Sequence, residues 1–473
     1  MFGAIGGRER RQAKEGVRCE LTMVLGTDAL LTAMRPLVAE FHHALQRSLD
    51  AGLEVPTKPA PRIEAAADGS GRQWVETEID FQLLRREVMP SLVRSGALFD
   101  AEALVAQALR LGPHSRSGSE RSWTPQGQVV DVFLEDYLSA ACVASEPFEL
   151  PVTVELFEDP IEASLRAEIG RLQAFLAAST FSGQLVVAIA GVTITQEDLH
   201  LDSDVSIVPF STGWRDELWR IAGWGSMLPQ PLQAHDFYDI SHAIRVDVTG
   251  ERLGGWNWAA GQTKADRTRI ALLLCGASNV RTGISWLRPD DRFASYLSRL
   301  GAGSGLVRQP AVAHALGRTA MTKDQGEQIP GVYAQLKAAP EKGPVALALR
   351  RLISSSERQS PEDRLIDCWI AFEALFAHDS NTELRFRATL RIARYVGRDA
   401  KDRRDIFHTL RQAYDWRSRI VHGSDPERAD PKKLGNLEDA ITACEQLLRR
   451  ALREWLVDPP SSDLREIDDS FLD

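Results

Sequence analysis

The chain has 473 residues, which is more than one hydrophobic core usually supports, so two or three domains are expected. Lys and Arg number 56 against 66 Asp and Glu, and the formal charge of -10 argues against a protein that coats nucleic acid through bulk electrostatics. Any contact with nucleic acid must therefore be local.

The five cysteines are scattered, and no CxxC or Cys/His spacing places two metal ligands on one turn of chain. We therefore expect reduced thiols, no structural zinc and no cofactor. The N-terminal segment lacks the apolar core of a signal peptide, and the longest uncharged apolar stretch, Leu185–Thr195, is too short to span a bilayer. These features predict a cytoplasmic protein that does not interact with membranes.

The first region, residues 1–147, is predicted to be mostly helical with polar loops. Residues 27–50 have the apolar spacing of an amphipathic helix, and a Pro/Ala/Gly-rich stretch near residues 55–71 predicts a loop after it. A second polar stretch, residues 113–126, predicts a mobile surface loop.

The second region, residues 148–329, combines strand and helix signals. Residues 161–178 have helical spacing, whereas alternating or β-branched residues predict strands at residues 151–157, 184–195 and 240–249. The pattern indicates an α+β domain and does not define the order of its strands. From this architecture we expect the domain to sense a partner or to restrain the region that follows.

The third region, residues 330–457, is predicted to be wholly helical and to precede an acidic tail, residues 458–473. Ser360 and Pro361, followed by two acidic residues, predict a helix start. Further helices are predicted at residues 345–355, from Thr382 to near Gly397, from Asp399 to about His422, and at residues 437–455. The chain is therefore predicted to be α+β overall, with an N-terminal helical segment, a mixed middle region and a C-terminal all-α bundle.

The most informative motif in the bundle is the pair Arg417 and His422. An Arg followed after four to six residues by a His occurs four times in the chain, so spacing by itself decides nothing. The other three pairs are Arg35/His42, Arg308/His314 and Arg403/His408. The last pair differs because it stands at the predicted end of a helix, with the polar Ser418 after the Arg and Gly423 after the His.

This segment, Tyr-Asp-Trp-Arg-Ser-Arg-Ile-Val-His-Gly at residues 414–423, resembles the Apea-like HEPN family, whose members carry a Tyr-x-x-Arg-Ser-x-x-Val-His-Gly type of motif. Residues 361–376 are similar to the family's preceding helix, and residues 383–397 to its intervening helix. The resemblance covers residues 330–457 and implies a HEPN helical bundle.

The resemblance also implies a function for the bundle. HEPN ribonucleases cleave RNA without a metal by attack of the ribose 2′-hydroxyl, leaving 2′,3′-cyclic phosphate and 5′-hydroxyl ends. The family dimerises, which implies a homodimer, and its setting implies a prokaryotic defence or toxin role such as abortive infection. RNA and a regulatory or antitoxin protein are the partners expected on this basis.

Apart from the family resemblance, Arg417 is notable as a charged residue in a position that is predicted to be buried. On the helix from Asp399, it falls on a predicted apolar stripe that comprises Phe407, Leu410, Tyr414 and Val421. Burying a guanidinium is costly unless the charge is paired. We expect Arg417 to meet Glu373, the one carboxylate on the buried face of the preceding helix, or a ligand phosphate.

His422 is expected to act as a general acid or base. About 100° per residue places it about 140° around an ideal helix from Arg417, so the helix must end there for both side chains to converge. Gly423 suits such an end. Ser418 is predicted to orient the site through its hydroxyl, unless that hydroxyl faces solvent.

Two alternatives stay open at this point. In the first, Arg417 and His422 bind RNA or a nucleotide without cutting it, and the bundle is a non-catalytic binding module. In the second, Arg417 only pairs with Glu373, His422 only caps the helix, and the bundle is a dimerisation module. The catalytic hypothesis makes a further prediction. One chain supplies one such Arg and one such His, whereas cleavage needs an acid and a base, so a homodimer with a composite cleft is expected.

Overall fold

The computed structural model describes residues 27–52, 57–65, 71–79, 81–108, 125–144, 154–156, 161–196, 198–211, 213–214, 240–251, 255–296, 307–308, 319–358, 360–377, 384–423, 436–460, 464 and 466–467. The chain forms two compact units. Unit 1 comprises residues 1–182, 249–256 and 289–303, and unit 2 comprises residues 183–248, 257–288 and 304–473.

The predicted domain boundaries at residues 148 and 330 do not coincide with these units. Residues 148–329 are divided between the two units, and one helix runs from Lys323 to Ala338 straight through residue 330. Amino-acid composition indicates which secondary structure a segment forms, whereas a compact unit can combine segments that are distant in sequence. The boundaries at residues 148 and 330 stay a prediction from composition.

Unit 1 is mainly helical. Its helices are α1 (Thr27–Asp50), α2 (Phe81–Ser95), α3 (Ala97–Ala108), α4 (Pro125–Ala141) and α5 (Ile161–Ala177). The predictions of α1 and α5 are confirmed, because their apolar stripes are buried in one core that also includes Phe133, Tyr137 and Phe293. Most of the polar stretch predicted as a mobile loop lies outside the described residues.

An antiparallel hairpin of β1 (Thr57–Ala65) and β2 (Gly71–Ile79) occupies the stretch that was predicted to be a loop. That prediction was wrong because it took the prolines as breakers. Pro59 and Pro61 stand opposite Thr77 and Val75 in a sheet of only two strands. Residues two apart in a strand direct their nitrogens the same way, so both prolines fit an unpaired edge. A second short antiparallel pair joins β3 (Cys142–Ala144) and β4 (Val154–Leu156).

The strands of the larger sheet, mainly in unit 2, are β5 (Thr180–Ala190), β7 (Leu199–Asp202), β8 (Val205–Pro209), β9 (Ile240–Glu251), β11 (Arg281–Pro289) and β12 (Val307–Arg308), with β10 (Gly255–Trp256) paired to the end of β9. Their order is β12-β11-β5-β9-β8-β7, which the sequence did not define. The predicted strands β5 and β9 are neighbours at its centre. A separate parallel pair joins β6 (Val192–Thr193) and β13 (Thr319–Ala320).

Two helices of unit 2, α6 (Trp258–Leu274) and α7 (Lys323–Ala338), precede the helices of residues 344–457, which we name the C-terminal bundle. The bundle comprises α8 (Pro344–Glu357), α9 (Pro361–Phe376), α10 (Leu384–Val396), α11 (Ala400–Val421) and α12 (Leu437–Val457). The prediction of an α+β protein is confirmed. In the described part of the chain, no helix is both long enough and apolar enough to cross a lipid bilayer.

The helix starts of the bundle are fixed by local chemistry. The Ser360 hydroxyl accepts the backbone N–H of Asp363 at 3.1 Å, with Pro361 at the first helical position, as predicted. The Asp399 carboxylate accepts the N–H groups of Lys401 and Asp402 at 2.8 and 2.9 Å, which confirms the predicted start of α11. The predicted cap Thr382 lies outside the described residues.

Candidate functional site

The buried face of α11 differs from the predicted stripe. Its buried residues are Ile406, Leu410, Ala413 and Trp416, spaced by three and four positions, whereas Val421 is 52% exposed. Only Leu410 belongs to both sets. The predicted stripe lies one position away from the buried one, because Phe407 and Tyr414 were chosen where Ile406 and Ala413 face the neighbouring helices. Arg417 therefore lies at the margin of the buried face and not within it.

The side chain of Arg417 pairs with Glu373 on α9, as the sequence analysis expected. Arg417 Nη2 lies 3.4 Å from Glu373 Oε1, and the two side chains are 24% and 25% exposed. One turn earlier on both helices, the rings of Trp369 and Tyr414 meet edge to face with centroids 5.0 Å apart. The completely buried Trp369 thus anchors the part of α11 that carries Arg417.

Tyr414 is a platform for two guanidinium groups. The Cζ atom of Arg417 lies 5.4 Å from the centroid of the Tyr414 ring, and that of Arg385 on α10 lies 5.7 Å away. Arg385 also pairs with Asp415 at 3.0 Å. Residues three apart share a helix face, which explains why Tyr-x-x-Arg spacing brings ring and cation together. Arg385 was not anticipated, because only the packing of α10 on α11 reveals it.

Arg417 retains unused hydrogen-bonding capacity. A guanidinium carries five N–H donors, and in the described part of the chain the buried Nε of Arg417 has no hydrogen-bond partner. Its contacts are the ion pair with Glu373 and the stacking on Tyr414. A quarter-exposed cation held on one side by a ring and a carboxylate can still accept an anion from solvent.

His422 stands where α11 ends, as predicted. Its backbone N–H donates to the carbonyl of Ser418 at 3.0 Å, and Gly423 follows with a positive φ of 70°. The left-handed conformation of Gly423 terminates the helix and turns the chain away. The imidazole is exposed. Within the described ranges, no hydrogen bond or ion pair joins it to Arg417, so one chain does not by itself lock the two together.

Ser418 contributes its backbone to this helix end. Its carbonyl accepts the His422 N–H, whereas its half-buried hydroxyl makes no hydrogen bond to any residue that the structure describes. The orienting role predicted for the hydroxyl stays a prediction.

The helix end also separates this pair from the other Arg/His pairs. His42 lies inside α1, where burial and the neighbouring His43 lower the pKa of its imidazole. His408 lies in the middle of α11. Arg308 is in β12, and its partner His314 is outside the described residues. Among the pairs described at both positions, only the last places its His at a helix terminus.

No family profile, curated protein or solved structure matches this chain. The chemistry of Arg417 and His422 and the motif resemblance of residues 414–423 are therefore what points to a function.

Proposed function

We propose that the C-terminal bundle is a metal-independent endoribonuclease of the HEPN type, with Arg417 and His422 as its catalytic residues. The proposal is supported most directly by the exposure and the contacts of the Arg417 guanidinium. The guanidinium is partly exposed, is positioned by Glu373 and Tyr414, and retains an unpartnered Nε, while an exposed His stands little more than one turn away at the helix end.

The reaction uses the nucleophile that RNA itself carries. A base removes the proton of the 2′-hydroxyl, the 2′-oxygen attacks phosphorus, and the bond to the 5′-oxygen breaks as an acid protonates that leaving oxygen. His422 serves as acid or base, and Arg417 stabilises the negative charge that grows on the phosphoryl oxygens. The products are a 2′,3′-cyclic phosphate and a 5′-hydroxyl.

In this mechanism Glu373 and Tyr414 are positioning residues. The carboxylate and the ring restrict the guanidinium to one direction, so that it is already oriented before RNA binds. Neither group needs to touch the RNA.

A homodimer supplies the second acid-base group. Two-fold pairing of the α11 ends would bring two copies of His422 to one cleft and would cover Val421, whose side chain is 52% exposed one residue before it. RNA would then lie across a composite site, with one His as base and the other as acid.

A prokaryotic defence or toxin role in the cytoplasm, controlled by a regulatory or antitoxin partner, completes the proposal. Its structural support is the attachment of α6 and α7 to the bundle within unit 2. The buried Arg269 of α6 pairs with Glu357 and donates to Ser356 at 2.9 Å, and Arg453 of α12 donates to Gln328 of α7 at 2.7 Å. A partner that displaces α6 or α7 would therefore also act on the bundle helices that they contact.

The test is incubation of the purified protein with total RNA, with and without EDTA, followed by chemical analysis of the new ends. We expect cleavage that persists in EDTA and leaves cyclic phosphates. Activity that EDTA abolishes and magnesium restores would contradict the metal-free mechanism. RNA binding that Arg417→Ala removes, without products at any protein concentration, would instead favour a non-catalytic binding module.

A further inference from the structure

Positive charge is concentrated on α10 and α11. Residues 384–423 contain 11 Lys/Arg and 4 Asp/Glu, a net charge of 11 - 4 = +7 in a chain of net charge -10, so the remaining residues carry -10 - 7 = -17. Of these 11 basic residues, only Arg391 is buried. An acidic protein that gathers exposed cations on two adjacent helices presents a local surface for a polyanion.

One exposed and one half-buried phenylalanine ring lie within this basic surface. Phe386 on α10 is 53% exposed, and its ring meets that of Phe407 on α11 at 6.1 Å and 84°. The guanidinium of Arg411 stands 5.7 Å from the centre of the Phe407 ring. Aromatic faces combined with arginines are the elements that bind unpaired bases and their phosphates.

The rings and cations form a continuous strip that leads to the candidate active site. Phe407, Arg411, Tyr414 and Arg417 follow one another at spacings of four, three and three, so they share one side of α11. Phe386 and Arg385 flank this side from α10. The distance along the helix from Phe407 to His422 is about 22 Å, since each residue rises about 1.5 Å.

We propose that this strip, formed by Phe386, Phe407, Arg385 and Arg411, binds single-stranded RNA and guides it to Arg417 and His422. The inference rests on the proposed function for the identity of its ligand. Bases stack on the two phenylalanine rings, and the arginines contact phosphates. A duplex is disfavoured because its bases are already stacked on one another and present no free faces.

A second copy of the chain is the less favourable occupant. Two-fold pairing through the strip would bring Arg385 and Arg411 of one copy close to those of the other, within segments of net charge +7 each, which opposes association. Val421 lies ten residues beyond Arg411, about 15 Å along α11, so pairing through the α11 ends need not cover Phe386 or Phe407.

The test is the affinity of the full-length protein for a labelled single-stranded 2′-O-methyl oligoribonucleotide, which lacks the nucleophile and cannot be cut. Phe386→Ala should weaken binding about tenfold, because loss of one stacking platform usually has an effect of this size. Phe386→Trp should retain binding. The matched control is Phe99→Ala, which removes a ring of similar exposure, 44%, from α3 and should change nothing.

The arginine contribution is tested by salt. Arg411→Gln should reduce the slope of log affinity against log salt by about 0.7, the value for one phosphate contact on a single strand. Arg350→Gln, which changes an exposed arginine on α8, is its control and should leave the slope unchanged.

The outcomes separate the strip from the nuclease. Cleavage of a dinucleotide too short to reach Phe386 should be equal in wild type and Phe386→Ala, while cleavage of a long single strand should fall in the variant. If Phe386→Ala binds the oligonucleotide as tightly as wild type, or if a duplex binds as tightly as the single strand, the strip does not bind single-stranded RNA. That conclusion holds even if the protein cleaves RNA. If Phe386→Ala weakens only self-association, measured by sedimentation, the strip is an interface between copies. Specific single-strand binding without any product would uphold the strip and contradict the nuclease.

Discussion

Two polar regions of the C-terminal bundle use the same residue types in opposite ways. The first, which we name the closed cluster, consists of Asp367, Glu445, Arg351, Arg358 and Arg364. Asp367, 3% exposed, accepts from Arg351 at 2.7 Å and from Arg358 at 3.0 Å. Glu445 accepts two bonds from Arg364, at 3.1 and 2.9 Å. Each buried carboxylate accepts at least two hydrogen bonds from arginine, and such pairing is the condition under which a buried charge is tolerated.

The second region, the open site, consists of Glu373, Arg417 and His422. Glu373 makes one ion pair of 3.4 Å, Arg417 Nε has no partner in the described part of the chain, and the imidazole is exposed. An unpartnered nitrogen is not sufficient to mark a site, since Arg449 Nε also lacks a partner there. That side chain, however, is only 13% exposed, and burial lowers its pKa. The greater exposure of the Arg417 side chain, 24% against 13% for Arg449, distinguishes the open site from the closed cluster.

The largest expected effect is the loss of cleavage in the open site. Arg417→Ala and His422→Ala should each reduce the rate at least about a hundredfold, because charge stabilisation and proton transfer each contribute on that scale. Their circular dichroism spectra should match wild type. His408→Ala is the matched control, an exposed His on the same helix, and it should retain activity. An equal loss from His408→Ala in folded protein would mean that the other pair on α11 is the catalytic one.

The next effect concerns the closed cluster and should appear in stability. Asp367→Asn removes a buried charge from between two arginines and should lower the free energy of unfolding by about 2 to 4 kcal/mol, the range for a broken charged network with partly exposed partners. Denaturant unfolding measures it. Cleavage per folded molecule should be unchanged. A loss of cleavage without a loss of stability would erase the distinction between the two regions.

A smaller effect is expected for Glu373→Gln. The ion pair is one-quarter exposed and long, so its removal should lower the free energy of unfolding by about 1 kcal/mol, between the values for surface and buried pairs. Cleavage should fall because the guanidinium loses its fixed direction.

A double-mutant cycle with Arg417→Met tests whether the two side chains are coupled. The double variant should regain stability relative to Glu373→Gln without regaining cleavage, because paired groups are not additive. Strictly additive unfolding free energies would show that Glu373 and Arg417 do not stabilise each other.

Some features were predictable because their causes are local. Ser360, Asp399 and Gly423 determine helix ends through their own hydrogen bonds or backbone angles. The contact between Glu373 and Arg417 was predictable for a different reason: a charge near a core requires a partner, and few candidates were available.

Other features depend on packing that no local pattern reports. The buried face of α11 was misassigned because two sets of apolar and aromatic residues lie one position apart, Ile406 and Ala413 beside Phe407 and Tyr414, and only packing decides which set is buried. The stacking of Arg385 on Tyr414 and the order of the large sheet both require knowledge of which segments meet. The proline-containing hairpin was missed because prolines at alternate positions in an edge strand resemble loop composition.

The most direct test of the proposed chemistry is cleavage of two RNA strands that differ at one atom. The first carries a mapped cleavage site, and the second has a single 2′-deoxynucleotide on the 5′ side of that bond. In EDTA, wild-type protein should cut the first strand to a 2′,3′-cyclic phosphate and leave the deoxy-substituted bond intact, and Arg417→Ala should cut neither. Cleavage of the deoxy-substituted bond at an unchanged rate would contradict the account, because the nucleophile would then come from elsewhere.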